Sequence, residues 1–226
     1  YHDGSLLFDE DGRNYIVYGN DEIWITELNE DLTAPKKDGL HRLLVSDHKN
    51  PELGYEGSHI QKINGYYYIF LVHSLRDRWM RTEACFYSDS LEGEFTGGDV
   101  LCDDRGYCGQ GVAQGGIVDT PDGKWYAMLF QDSGAVGRIP ILLPVTWKDH
   151  FPVFGQNGHV PEEIEVHSTR PGYIYQPLVG SDDFCNGLLP RWQFNHDPDP
   201  RYYHLDALQG TYTITTREVC TCLLYT

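Results

Sequence analysis

Methionine is almost missing from this chain: 2 in 226 residues, against 16 tyrosines, 9 phenylalanines and 24 glycines. That balance argues against a helical protein and for a β-rich one with many turns. Long apolar runs are absent too, which excludes a transmembrane helix. Basic residues are few: 17 Lys and Arg stand against 34 Asp and Glu, a formal net charge of −17. None of the 17 forms a run, so no nucleic-acid partner is expected, because phosphate binding needs a basic patch. A neutral or cationic ligand is electrostatically easier, although solubility alone would also account for the acidity. No two of Cys85, Cys102, Cys108, Cys185, Cys220 and Cys222 have CxxC spacing, and Cys220-Thr221-Cys222 is one residue too short. A paired-cysteine zinc site is therefore excluded, while scattered thiols and a Cys102–Cys108 bridge both stay open. The chain opens at Tyr1 in mid-pattern, without Met or a signal-like segment, so the natural N-terminus is expected upstream.

What is present is a repeat. Asp3-Gly4-Ser5, Glu56-Gly57-Ser58 and Gln114-Gly115-Gly116 each lead, nine positions on from the polar residue, to a glycine that opens an aromatic-rich strand: Gly12, Gly65 and Gly123. One supersecondary module thus recurs in a fixed register, which makes Asp3, Glu56 and Gln114 equivalent. Inside each unit a short strand (5–8, 59–62, 117–119) precedes an Asp-Gly or Asn-Gly turn, the strongest short hairpin signal. A second strand follows (15–18, 67–72, 125–130), and a third is readable at 23–28 and 85–88.

Units of this length with three to four antiparallel strands are expected to be β-propeller blades. The repeated Trp-Asp of one blade type and the Ser-x-Asp-x-Gly-x-Thr-Trp of another are both lacking. Three blades fill residues 1–160, and propellers close with four or more, so the propeller is expected to be incomplete. A linker is placed at 161–186. Residues 187–226, with the alternating Thr211–Thr216, are expected to begin a second β domain.

Inner strands of a propeller start or end at its axis, so equivalent residues of different blades converge there. Asp3, Glu56 and Gln114 are candidates to share one axial pocket, and the glycine after each suits crowded surroundings. Two carboxyl groups in one cleft invite acid–base chemistry, because repulsion and partial burial raise the pKa of one of them. An acid beside glycine is commonly only a turn residue; the shared register weighs against that reading.

The motifs resemble those of glycoside hydrolase family 43, five-bladed β-propeller glycosidases. His2-Asp3-Gly4-Ser5-Leu6-Leu7-Phe8-Asp9-Glu10-Asp11-Gly12 is similar to the family's Asp-Pro-Ser segment and the Phe-Phe-Asp-Asp-Asp-Gly after it. Glu56-Gly57-Ser58-His59-Ile60 with Gly65-Tyr66-Tyr67-Tyr68 is similar to its Glu-Gly-Pro-His and Gly-Tyr-Tyr-Tyr. Gly137-Arg138 with Pro144-Val145-Thr146-Trp147 resembles its Gly-Arg-Glu-Thr and Pro-Val-x-Trp. The resemblance covers residues 1–155, and Trp192–Pro198 further resembles the start of the β-sandwich that follows the propeller in the β-xylosidase branch.

The resemblance implies roles. Glu56 is expected to be the general acid that protonates the leaving glycosidic oxygen. Asp3 is expected to be the carboxylate that modulates the acid's pKa and holds the sugar, and Arg138 a donor to substrate hydroxyls that also meets a carboxylate. The general base would be an Asp in a blade upstream of Tyr1, spaced from the acid by about 6.5–9.5 Å for an inverting attack by water. These 226 residues alone are therefore expected to be a poor catalyst. Gly4 and Ser58 replace prolines of the family pattern and are expected to loosen their turns. Gln114 stands where many members carry a His that helps hold an axial calcium or its waters. It can ligate through its carbonyl oxygen but cannot replace imidazole, so no cofactor is required, no metal ligand is assigned and Gln114 is placed among substrate contacts.

Two further contacts are expected at the pocket rim: Trp79, in the polar loop 73–79, by stacking on a sugar, and Gln131 by reaching substrate from the Arg138 side. His59 is not expected to act directly. The function expected is that of an inverting glycoside hydrolase releasing β-xylosyl and/or α-L-arabinofuranosyl units from xylan or arabinoxylan oligosaccharides. The alternatives are an endo-arabinanase or galactanase of the same fold, or a catalytically inactive sugar-binding propeller. Neither nucleic acid nor membrane is an expected partner.

Overall fold

The computed structural model describes residues 1–166, 170–174, 177, 180–190, 192–194 and 199–216. The chain divides into two compact units, Tyr1–Glu165 and Val166–Thr226. The first holds three four-stranded antiparallel sheets, each in chain order. They are β1 (Ser5–Phe8), β2 (Asn14–Asn20), β3 (Glu22–Leu28) and β4 (His41–Ser46); β5 (Glu56–Ile63), β6 (Tyr66–Ser74), β7 (Arg81–Ser88) and β8 (Thr96–Leu101); β9 (Ala113–Asp119), β10 (Trp125–Asp132), β11 (Arg138–Lys148) and β12 (Phe151–Phe154). These are the three expected blades. No helix among the described residues is long and apolar enough to cross a membrane.

The tightest hairpin lies in the middle blade. Ile63 pairs with Tyr66 across Asn64-Gly65, and both turn residues have positive φ (51° and 85°), the type I′ geometry whose twist matches the flanking strands. In the first and third blades Asp9 N–H donates to Arg13 O and Thr120 N–H to Lys124 O, leaving three-residue turns that end on Gly12 and Gly123.

Two apolar layers fill the spaces between sheets. Leu7, Tyr15, Val17, Ile23 and Ile25 of the first blade meet Ile60, Tyr67, Ile69 and Leu71 of the second. Tyr68 and Phe70 turn the other way, onto Ile117, Ala127, Leu129, Leu143 and Phe154 of the third. Because β6 is covered on both faces, its run Tyr67–Val72 is apolar without alternation. The outer sheets do alternate: in β10 Ala127 and Leu129 are buried while Met128 between them is half exposed. Leu6 and Phe8 on the first blade, and Val118 and Met128 on the third, leave the two outermost faces apolar and exposed.

Polar ties cross the layers as well. The Asp9 carboxylate, buried at the β1 turn, accepts from Lys62 Nζ (2.6 Å), Tyr67 Oη (2.5 Å) and Glu10 N–H (2.7 Å). Burial pushes this carboxyl up, but those hydrogen bonds outweigh it and hold its pKa below the ordinary value. Tyr67→Phe is expected to cost about 1.5–3 kcal/mol, the range for a hydrogen bond to a charged group. Urea unfolding of the variant measures it, and an unchanged midpoint would remove the Tyr67 hydrogen bond, though not Lys62, from the interblade account.

Ser58 does not loosen its turn. Its hydroxyl reaches the carbonyls of Asp3 (2.9 Å) and Val17 (3.0 Å) in the neighbouring blade, a tie that proline could not supply. Cys102 and Cys108 are both free thiols.

In the second unit β13 (Tyr203–Asp206) pairs antiparallel with β14 (Thr211–Ile214). Phe184, Trp192, Phe194, Tyr203 and Tyr212 stack over this pair, and Asp182 accepts from Trp192 Nε1 at 2.8 Å. Of the Trp192–Pro198 motif, residues 195–198 lie outside the described residues, as does the Cys220–Cys222 pair.

Candidate active site

In an antiparallel meander the first and third strands begin where the second and fourth end. One end of the three sheets therefore collects Asp3 ahead of β1, Asn20 closing β2, Glu56 opening β5, Arg81 opening β7, Gln114 in β9, Asp132 closing β10 and Arg138 opening β11. This is the convergence expected from the repeat.

The equivalence of the three polar residues needs a one-residue correction. Each inner strand carries a bulge near its start. Pairing shifts between Glu56 and His59 against β6, and between Ala113 and Gly116 against β10. In the first blade Gly19 N–H donates to His2 O, out of step with the Ser5–Val17 pairing. The bulge residue with positive φ is Asp3 (44°), Gly57 (65°) and Gln114 (67°). Glu56 thus stands one residue earlier, at the place of His2 and Ala113. The identical nine-residue offset arises because the two-residue turn of the middle blade compensates for the displaced acid.

The pocket follows that structural register. Asp3, Gly4, Ser5, Gly57, Ser58, His59 and Gln114 line a cavity of about 240 Å³. A side chain at Gly57 would run into Gln114, since a Cβ there would lie 2.7 Å from Gln114 Nε2. Glu56 stands beside the cavity. Its Oε2 accepts from Asn20 Nδ2 (3.3 Å) and lies 3.6 Å from His2 Nε2, which is 3.5 Å from Asp3 Oδ2. The ligating atoms of His2, Asp3 and Glu56 all lie within 4.8 Å of one another. The structure thus brings Glu56, Asp3 and Gln114 together.

A second cluster lies along the seam between the second and third blades. Arg81, its side chain 5% exposed, donates from Nη1 to Asp132 Oδ2 at 3.0 Å. Arg138, 65% exposed, places Nε 3.4 Å from Asp132 Oδ1. Both guanidinium carbons stand 4.6 Å from the centroid of the Phe130 ring. The carboxylate expected beside Arg138 is therefore Asp132. Deeper in the seam, Glu83 is fully buried: Oε2 accepts the Gln114 N–H at 2.6 Å, and Oε1 has no hydrogen-bond partner. Burial pushes this carboxyl well above the ordinary carboxylate range, against the pull of the Gln114 N–H and of Arg81.

One expected substrate contact is committed elsewhere. Gln131, 6% exposed, donates from Nε2 to the carbonyls of Asp104 (2.7 Å) and Gln110 (2.8 Å), so its amide braces the 104–110 loop instead of reaching substrate. Trp79 is 40% exposed in the loop between β6 and β7, where Gly109 packs on its carbonyl and ring. It borders the same braced loop and stays available to solvent. His2, Asn20, Arg81 and Glu83 did not emerge from the sequence as site residues, and Asp132 did so only as part of the segment 131–134 ahead of Arg138. The one available signal was Arg81 and Glu83, a charged pair two residues apart just ahead of the strand read at 85–88.

Among the described residues, the side chains at the axis do not by themselves complete a calcium shell. Calcium takes six to eight oxygen ligands. Around the cavity the Ser58 hydroxyl is committed to backbone carbonyls and the Ser5 oxygen accepts the Ile60 N–H. The Asp3 carboxylate and the Gln114 amide oxygen are left, with Glu56 and His2 beside the cavity, fewer oxygens than calcium takes, and no chemical step is derived through a metal.

Comparison with known proteins identifies the family of the chain. The Glycosyl hydrolases family 43 profile matches residues 1–152. A protein named putative beta-xylosidase from Xylanibacter ruminicola is 26% identical over 226 residues, 95% of this chain and 41% of its own length. A non-reducing end alpha-L-arabinofuranosidase of Bacteroides ovatus is 26% identical over 171 residues, 69% of this chain and 32% of its own. Among solved structures, a bifunctional GH43-CE protein of Bacteroides eggerthii superposes with a TM-score of 0.79 at 41% identity, covering 98% of this chain and 29% of that one. The chain spans less than half the length of these relatives. By profile and by fold, the chain belongs to glycoside hydrolase family 43, glycosidases built on a five-bladed propeller of which these residues form three blades.

Proposed function

We propose that the whole protein is an inverting glycosidase that releases β-xylosyl and/or α-L-arabinofuranosyl units from xylan-derived oligosaccharides. The observation that carries this reading is the meeting of Glu56 and Asp3 at the propeller end, one half-buried and the other at the pocket wall. Glu56 protonates the departing oxygen, and Asp3 tunes that proton and holds the sugar. Their oxygens lie within 4.8 Å, too close for the pair to act as inverting acid and base, for which about 6.5–9.5 Å is needed. The water-activating carboxylate is therefore assigned to a blade outside residues 1–226, and this span alone is expected to be inactive. Arg138 is assigned to the substrate hydroxyls. Pentose preference rests on the names of the relatives, one a putative beta-xylosidase and one an arabinofuranosidase.

The same short separation favours one second reading. Retaining glycosidases hold their carboxyl groups about 5–5.5 Å apart, a spacing at which Asp3 would be a nucleophile. Proton NMR of the first-formed sugar from the full-length protein decides. Inversion releases α-xylose from a β-xyloside, and release of β-xylose would overturn the proposed mechanism in favour of the retaining one. Turnover of neither aryl β-xylosides nor aryl α-L-arabinofuranosides would overturn the pentosidase reading.

A further inference from the structure

Arg138 has a long, mostly exposed side chain that gains specificity only if it is held. Among the described residues its holds are Asp132 Oδ1 and the Phe130 ring. Both belong to β10, and both are shared with Arg81. Arg81 is the fixed member of the group. Its N–H donates to Gly109 O at 3.0 Å, and Gly111 packs so closely that a Cβ there would lie 1.8 Å from Arg81 O. Its guanidinium is buried, and its Nη1 contact with Asp132 Oδ2 leaves Oδ1 facing Arg138. A carboxylate gripped on one oxygen by an immobile cation offers the other oxygen in a set place. A ring already covered by one guanidinium has its orientation set for a second.

We propose that Arg81 is a positioning residue that acts through Asp132 and Phe130 to hold Arg138 in its substrate-contacting orientation. The role assigned to Arg138 rests on the glycosidase reading above; the positional statement does not. Holding a side chain in its binding rotamer removes the affinity lost when only a fraction of molecules is competent. Arg81 therefore acts chiefly on substrate binding, with only a through-space effect of its charge at Glu56.

A double-mutant cycle in the full-length protein tests this with aryl pentosides. Arg81→Met is expected to raise KM roughly tenfold, as though about one molecule in ten kept Arg138 in place, with kcat changed less than about threefold. In an Arg138→Ala background the same substitution is expected to add nothing further, since the residue it acts through is gone. Equal and additive losses in both backgrounds would overturn the proposal, because a merely structural residue behaves that way. Asp132→Asn, at a partly exposed position, is the companion variant that keeps an acceptor for Arg81, and is expected to show the same KM-selective loss should Arg81→Met fail to fold. Crystal structures of the two full-length variants give a readout independent of activity. Displacement of the Arg138 guanidinium from the Phe130 ring supports the proposal even for a protein that cleaves no pentoside. Retention of Arg138 on the ring in a folded variant overturns it, whatever the kinetics of the unmutated enzyme.

Discussion

Glu56→Ala in the full-length protein is expected to lower kcat/KM on natural pentose oligosaccharides by about 10²–10⁴-fold, the range carried by a general acid. Aryl glycosides with good leaving groups should lose far less. The reason is the leaving group: a sugar alkoxide departs only as it is protonated, whereas an activated phenolate leaves without help. The structure adds a specific contrast. Of the two groups that flank the Glu56 carboxylate, the Asn20 amide is not an acid, and the His2 ring stands 3.6 Å away. Steady-state assays on matched pairs of activated and natural substrates measure the ratio. An equal loss on both would remove Glu56 as the acid and leave it a binding residue.

Stability that falls as pH rises is the second large effect expected, and Glu83 is its source. In the folded protein this carboxyl titrates well above its ordinary value of 4.5, because burial strips the charged form of water. Between 4.5 and the raised folded value, the folded protein holds a proton that the unfolded chain has released. Each pH unit in that window then costs about 1.4 kcal/mol of stability, and the loss stops once the folded carboxyl also ionises. Glu83→Gln retains an acceptor for the Gln114 N–H without a charge to desolvate, so its stability at neutral pH should exceed that of the unmutated protein. Subtracting denaturation curves of the two proteins across pH 4–8 isolates this one group from Asp9, Glu27 and Asp103, whose carboxyls are held below their ordinary values and act at lower pH. Parallel pH profiles for the two proteins would show that the slope originates elsewhere.

Much of the architecture was legible because short-range chemistry determines it. Asn64-Gly65 and Asp122-Gly123 announce turns through the φ values they tolerate, and the unbroken apolar run of β6 announces a sheet covered on both faces. The site was legible to within one residue. A bulge adds a residue without changing composition, and a turn one residue shorter cancels that shift in the sequence, so only strand pairing shows that Gly57, and not Glu56, matches Asp3 and Gln114. Arg81 and Glu83 escaped for a different reason. Charges in a strand read as a solvated face, whereas these two are paired inside a seam that exists only once the third blade packs. Gln131 misled in the opposite sense. A polar side chain beside Arg138 suggests a ligand contact, but its amide satisfies two carbonyls of a loop distant in sequence.

The three bulges also show where folding ease and chemistry diverge. A left-handed backbone is comfortable for glycine and strained for residues with a side chain, by about 1 kcal/mol or more. The middle blade meets that geometry with Gly57, while the blades on either side meet it with Asp3 and Gln114. Glycine would relax both positions, but it would also empty two of the polar groups that line the pocket. Part of the stability–activity trade-off of this molecule thereby lies in two backbone torsions, where the residue that would relax the chain is the one that would remove a polar group from the cleft.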